Sequence, residues 1–288
     1  MWGMQPAHPA AFEAYVAPAR AHPQLWRVAV GLVLIVALHL ATTLVALALM
    51  RPGAVPLGPG SMVIILFSFA GLGLGTWAAV RLLHRRSLAS LIGPGRRAWR
   101  HFLLGVAVIG GLHAAAFGFS ATQLDLEPGL APTVWLMWLP LALLGLAVQT
   151  GAEELVFRGY LQQQLAARFA SPLVWMVLPS IAFALLHYSP EEMGPNTWIV
   201  VAVTGAFGLV AADLTARSGT LGLAWGLHFA NNIFALTLVA PVGPLSGLAL
   251  YTTPFSFDDP GMMRLMLLGD VALLGVVWGI CRLALRRG

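Results

Sequence analysis

Apolar positions in this chain run unbroken for longer than one face of a soluble helix or strand would need. Eight such runs can be read, at about 27–50, 61–83, 101–121, 132–150 (continuing as a helix to about 168), 172–188, 197–215, 220–240 and 262–284. Each is near the ~20 residues a helix needs to cross a bilayer. In lipid every backbone N–H and C=O must be satisfied within the segment, which a helix achieves. The pattern therefore predicts an all-α fold, a polytopic membrane helix bundle with about eight transmembrane helices. Residues 1–25 break the pattern. Rich in Ala, Pro and His, they read as a loose or interfacial N-terminal arm, leaving 26–288 as a single transmembrane bundle. A cleavable signal peptide is not expected, because the first apolar run is too long and starts too late.

The polar loops suggest an orientation. Arg81, Arg85, Arg86, Arg96, Arg97 and Arg100 fall after the second run. Placing that loop in the cytoplasm also puts Arg20, Arg168, Arg217, Arg282, Arg286 and Arg287 there. The other side receives Arg51 and Arg264 with Asp125, Glu127, Glu191, Glu192, Asp258 and Asp259. The asymmetry follows the positive-inside rule and predicts two cytoplasmic termini. Trp135 and Trp138 lie where an interfacial aromatic belt is expected. Gly71-Leu-Gly-Leu-Gly75 has the small-xxx-small spacing that lets two helices approach closely.

Composition narrows this further. Of 288 residues 59% are hydrophobic and 9% charged, with mean hydropathy +0.82. A soluble domain carries about 25% charged residues, so the chain is read as an integral membrane protein with lipid as its surroundings. The net charge of +5 could suggest nucleic acid. The arginines sit in short loops between apolar runs, which makes them topology signals, and no nucleic-acid partner is expected. Every basic residue is arginine, and the Ala-rich chain looks bacterial, so a bacterial inner (plasma) membrane is the expected location. Cys281 stands alone, permits no intrachain disulfide and reads as packing.

Against this background Gln149-Thr-Gly-Ala-Glu-Glu-Leu-Val-Phe-Arg-Gly-Tyr160 stands out. Ionisable groups at membrane depth are costly, rare and usually functional. On a helix Glu154 and Arg158 share a face, acid before base, while Glu153 is turned by about 100°. Arg158 can thus neutralise one carboxylate and leave the other for a different partner. Two further groups follow: Phe183-Ala-Leu-Leu-His187, and His228-Phe-Ala-Asn-Asn232, whose outer members lie one turn apart. His39, His101 and His113 read as packing or interfacial, Asp213 and Arg217 as a surface pair, and Asp270 has no reading.

Glu-Glu-x-x-x-Arg at 153–158, Phe-x-x-x-His at 183–187 and His-x-x-x-Asn at 228–232 resemble the three motifs of the CPBP intramembrane proteases, also called the ABI family. That family includes type II CAAX prenyl proteases and bacteriocin-processing or self-immunity proteins. Phe157-Arg-Gly159 and Ser218-Gly-Thr-Leu-Gly222 fit as flanking text, and the resemblance covers about 130–240, the expected catalytic core. It implies an intramembrane endopeptidase acting on a peptide or protein substrate, lipidated ones included, near the membrane surface. Carried over residue by residue, it makes Glu153, His187, His228 and Asn232 catalytic, with Glu154 and Arg158 in support.

In chemical terms, Glu153 with His187 would activate a water, and His228 with Asn232 would donate to the oxyanion. This version needs no cofactor. The same types could instead hold zinc through Glu153, His187 and His228, in keeping with the metalloprotease label the family carries, although a helical His-Glu-x-x-His signature is absent. Two other readings stay open: a proton-coupled transporter using these groups as a relay, and a catalytically idle scaffold. The catalytic reading requires the four side chains to converge. At 1.5 Å per residue His187 lies about 22 Å from the cytoplasmic edge and His228 about 10 Å, so a tilt, or a kink near Gly151, is expected.

Overall fold

The computed structural model describes residues 10–50, 57–123 and 125–287, with side chains except at 119–123 and 287. The first nine residues of the arm and Arg51 lie outside the described residues. In chain order the elements are α1 (Ala10–Val16), α2 (Leu25–Leu49), α3 (Pro59–Leu83), α4 (Gly95–Gln123), β1 (Glu127–Pro128), α5 (Pro132–Ala166), α6 (Leu173–Leu185), α7 (Thr197–Ser218), α8 (222–238), β2 (Val239–Val242), β3 (Tyr251–Ser256) and α9 (Met262–Arg287).

The structure is an all-α polytopic bundle. Six of its helices are long and apolar enough to cross a membrane: α2 to α5, α7 with its lead-in from Pro190, and α9. The fifth and seventh expected runs form the shorter helices α6 and α8. Large apolar side chains such as Val33, Leu44, Leu82, Leu144 and Leu268 point outward, as a lipid-facing surface requires.

Small residues set the closest helix crossings. A Cβ at Gly71 would stand 2.6 Å from the Leu38 carbonyl oxygen, and one at Gly75 2.6 Å from Ile35 Cα, so the predicted small-residue face is where α3 meets α2. Gly222 and Gly226 do the same for α8. A Cβ there would fall 1.9 Å from the Ala98 carbonyl oxygen and 2.1 Å from that of Phe102, on α4.

Beyond the all-α expectation, a small sheet of order β1-β3-β2 closes one end of the bundle. β1 pairs antiparallel and β2 parallel with β3. The apolar run read as 220–240 stops being helical at Leu238, where the chain extends into β2 ahead of Gly243 and Pro244. Glu191, Glu192 and Asp258 gather beside this sheet. Trp135 also belongs to this end and donates to the Thr237 carbonyl at 2.7 Å.

At the other end of α5 the arm is docked, and over Ala10–Ala21 it is not loose. Phe12, Tyr15 and Val16 are buried against Leu165, Ala166, Trp175 and Ala216. Gly219 ends α7 with φ +64°, and a Cβ there would meet the Ala11 carbonyl at 2.6 Å. Both the left-handed conformation and the close approach require glycine. Nearby, His84 bonds the Tyr160 hydroxyl at 3.0 Å and the His22 carbonyl oxygen at 3.1 Å. Burial pushes its imidazole down to about 4, so the ring is neutral at pH 7.

Candidate active site

Helix α5 supplies the acids. Its turns widen over Leu155–Leu161, directly after the two glutamates; such widened turns occur often at functional sites. Arg158 donates from Nη1 to Glu154 Oε1 at 2.8 Å, with 2% and 0% side-chain exposure, the pairing expected from the spacing. The guanidinium also lies over the rings of Phe183, Phe207 and Phe157, at 4.5, 5.7 and 5.9 Å. Those rings shield the pair from lipid and strengthen it through cation–π attraction. Glu153, turned away from Arg158, accepts from Gln149 Nε2 at 2.9 Å, one turn earlier on α5.

Helix α8 meets these groups where its Trp225 packs on Gly151 of α5, a Cβ at which would fall 3.1 Å from the indole ring. His228 places Nδ1 2.9 Å from Glu154 Oε1 and Nε2 3.5 Å from Glu153 Oε2, so one imidazole stands between the two carboxylates. One turn on, Asn232 donates to Gln149 Oε1 at 3.0 Å. Asn231 bonds Asn232 Oδ1 at 3.3 Å, and its own Oδ1 lies 3.1 Å from His113 Nε2 on α4. The imidazole of His113 stacks on Phe234, centroids 4.5 Å apart. Hydrogen bonds run from Arg158 through Glu154 to His228, whose Nε2 stands 3.5 Å from Glu153, and from Glu153 through Gln149, Asn232 and Asn231 to His113.

The network borders a cavity of about 260 Å³ whose wall includes His187, His228, Asn232, Asn231, His113 and Asp270. His187, just past the end of α6, bonds the Phe183 carbonyl oxygen through Nδ1 at 3.0 Å. Since the carbonyl can only accept, Nδ1 donates there and Nε2 is left without that bond.

Three of the four residues expected to converge thus line one cavity. Glu153 is not on its wall; it sits behind His228 and Gln149 with 10% side-chain exposure. His187 and His228 reach one cavity despite the difference in depth counted for them; α6 has widened turns at Leu173–Val177, before His187. Gln149 was missed as a site residue. Its i,i+4 relation to Glu153 was the available signal, but a neutral amide carries no weight in a search for charge. His113, read as packing or interfacial, is instead bonded to Asn231 and lines the cavity. The other two set-aside histidines behave as read. His39 packs on Phe69, centroids 5.2 Å apart, and His101 bonds Thr220 Oγ1 at 2.8 Å. Asp213 and Arg217 form the expected exposed pair at 2.9 Å.

The description "Type II CAAX prenyl endopeptidase Rce1-like" matches residues 131–234. Those residues are similar to that family's domain. The match runs from the start of α5 to Phe234 of α8 and so contains Glu153, Glu154, Arg158, His187, His228 and Asn232, but neither His113 nor Asp270. The chain is also similar to the uncharacterized protein YyaK of Bacillus subtilis (strain 168), 29% identical over 198 residues. That similarity covers 65% of this chain and 62% of the relative, so the chain spans somewhat less than two thirds of that protein's length. No solved structure matches. With six helices of membrane-spanning length among the described residues and this similarity over four of its helices, the chain is an integral membrane protein.

Proposed function

We propose that the protein is an intramembrane endopeptidase that hydrolyses a peptide bond near the membrane surface, in CAAX-type or peptide and bacteriocin processing. The single observation carrying this reading is the meeting of Glu153, His228 and Asn232 in one hydrogen-bonded network beside a cavity that His187 also lines. The Rce1-like match supports the same class of reaction. The arm end of the bundle, where Arg20, Arg85 and Arg86 collect, is taken as cytoplasmic.

In the proposed mechanism a water enters between Glu153, just behind the cavity wall, and Nε2 of His187, which orients it. Glu153 takes its proton as it attacks the substrate carbonyl and returns that proton to the leaving amine when the tetrahedral intermediate collapses and the peptide C–N bond breaks. Charge then develops on the carbonyl oxygen. His228 donates Nδ1–H to Glu154, and its Nε2–H, at 3.5 Å from Glu153, is too far for a firm bond and is left for the oxyanion. Asn232, held in place by Gln149, supplies a second donor. Arg158 pairs with Glu154, which in turn holds the His228 ring.

The zinc alternative would use Glu153, His187 and His228. Among the described residues no three His, Cys, Asp or Glu side chains are placed to share an ion, and the mechanism is written without one. The test combines metal analysis with chelation of the purified protein. The expected result is no stoichiometric zinc and cleavage that survives a strong chelator. One zinc per chain, lost together with activity and recovered on re-addition, would contradict the mechanism and leave the protease class standing.

A further inference from the structure

The last helix takes no part in the hydrogen-bonded network and lies outside the Rce1-like match, yet it closes the cavity. Met263, Leu267, Val277 and Cys281 of α9 are buried. Leu274 lines the cavity, and so does Asp270. Positions 263, 267, 270, 274, 277 and 281 advance by fours and threes and form one helical stripe. Asp270 therefore belongs to the face turned toward the bundle, and it falls where the bundle leaves space. Charged groups in membrane-spanning helices occupy such places, against a cavity or the bundle interior.

Charge around the cavity does not balance. Glu154 is matched by Arg158, and Glu153 faces His228. Asp270 has no hydrogen bond or ion pair with any described residue. No arginine lines the cavity, and the chain contains no lysine. Asp270 is exposed toward this space rather than packed; a carboxylate at membrane depth without a partner is unfavourable, and a cation brought to it is favoured.

We propose that Asp270 is a specificity-determining residue that receives a cationic side chain, lysine or arginine, of the peptide substrate close to the scissile bond. This rests on the endopeptidase reading above. His228, Asn232 and Asp270 border the same cavity of about 260 Å³. A carbonyl held by the first two leaves a neighbouring side chain of the same peptide within reach of the third. An acidic side chain there meets like charge, and an apolar one leaves the carboxylate unpaired.

The test uses the full-length protein in detergent and peptide pairs that differ only by lysine or its uncharged isostere norleucine. The lysine is scanned over the positions flanking the scissile bond. At one position wild type should favour lysine about tenfold or more in kcat/KM, the size of discrimination expected of one charge-assisted hydrogen bond. The preference should appear chiefly in KM. In Asp270→Asn, and in Asp270→Ser as a second variant, the ratio should fall toward one, and Asp270→Arg should reverse it toward glutamate. A wild-type ratio near one at every position, or a ratio unchanged in folded variants, overturns the proposal. Should wild type cleave no peptide, the endopeptidase reading fails separately. Fluorescence anisotropy with the same labelled peptides then decides for Asp270: lysine-selective binding lost in Asp270→Asn upholds the charge site, and equal binding overturns it.

Discussion

Helix α5 carries two buried polar networks about two turns apart, and they use similar groups to different ends. The first joins Glu153, Glu154, Arg158, His228, Gln149 and Asn232 and opens onto a cavity. The second joins His84 to Tyr160 and Arg86 to Gln163, with Gln163 also donating to the Ser90 carbonyl at 3.0 Å and Tyr15 to that of Leu91. It is sealed by the arm, where Phe12 and Val16 have no exposure. Both contain histidine, arginine and amide side chains, so residue type alone does not separate them. What separates them is access: in the first, His228 and Asn232 border open space that His187 also lines, whereas the second fastens the loop after α3 and the arm to the end of α5.

The comparison predicts a graded set of responses. The largest is in stability. Arg158→Ala removes one partner of a fully buried pair and should cost about 3–5 kcal/mol. Arg168→Ala, at an exposed position with only the neighbouring Phe169 ring beneath it, should cost about 0–1 kcal/mol. Thermal unfolding in detergent measures both, and equal tolerance would remove the case for a buried pair. Next, Asn232→Ala should lower turnover about 10²–10³-fold, as loss of one oxyanion donor does, with little change in melting temperature.

The second network should respond in stability alone. Tyr15→Phe loses one hydrogen bond, worth about 1 kcal/mol, and should leave cleavage at the wild-type rate. A tenfold loss of turnover would make the arm part of the site. The smallest effect is a pH dependence. The His84 ring is pushed down to about 4, from 6.5 when free. Between these values the folded chain binds fewer protons than the unfolded one, so its stability is full above about pH 6.5 and falls as pH drops toward 4. His84→Gln should flatten that slope in melting temperature against pH.

The sequence made some of this legible and hid the rest for physical reasons. Long apolar runs announced the helices because a bilayer demands length, and Gly71 and Gly75 announced a close crossing because only small residues permit one. Glu154 and Arg158 were readable from spacing. β2 was not, since Val239-Ala-Pro-Val242 continues an apolar run and its pairing partner is contributed from beyond a loop. The widened turns of α5 and α6 leave no compositional trace. Gln149, Asn231 and His113 gain their roles only through partners on other helices. Asp270 was visible as an oddity and acquired a meaning from the stripe and the cavity it faces.

The most direct test of the account is cleavage of a peptide library by the purified protein in detergent, wild type beside Glu153→Ala. The account predicts that wild type cuts a subset of peptides and that the folded variant, matched in melting temperature and elution volume, cuts none of them. Equal cleavage by both proteins would contradict a catalytic Glu153, and absence of cleavage by wild type across a library that includes lipidated peptides would contradict the endopeptidase itself.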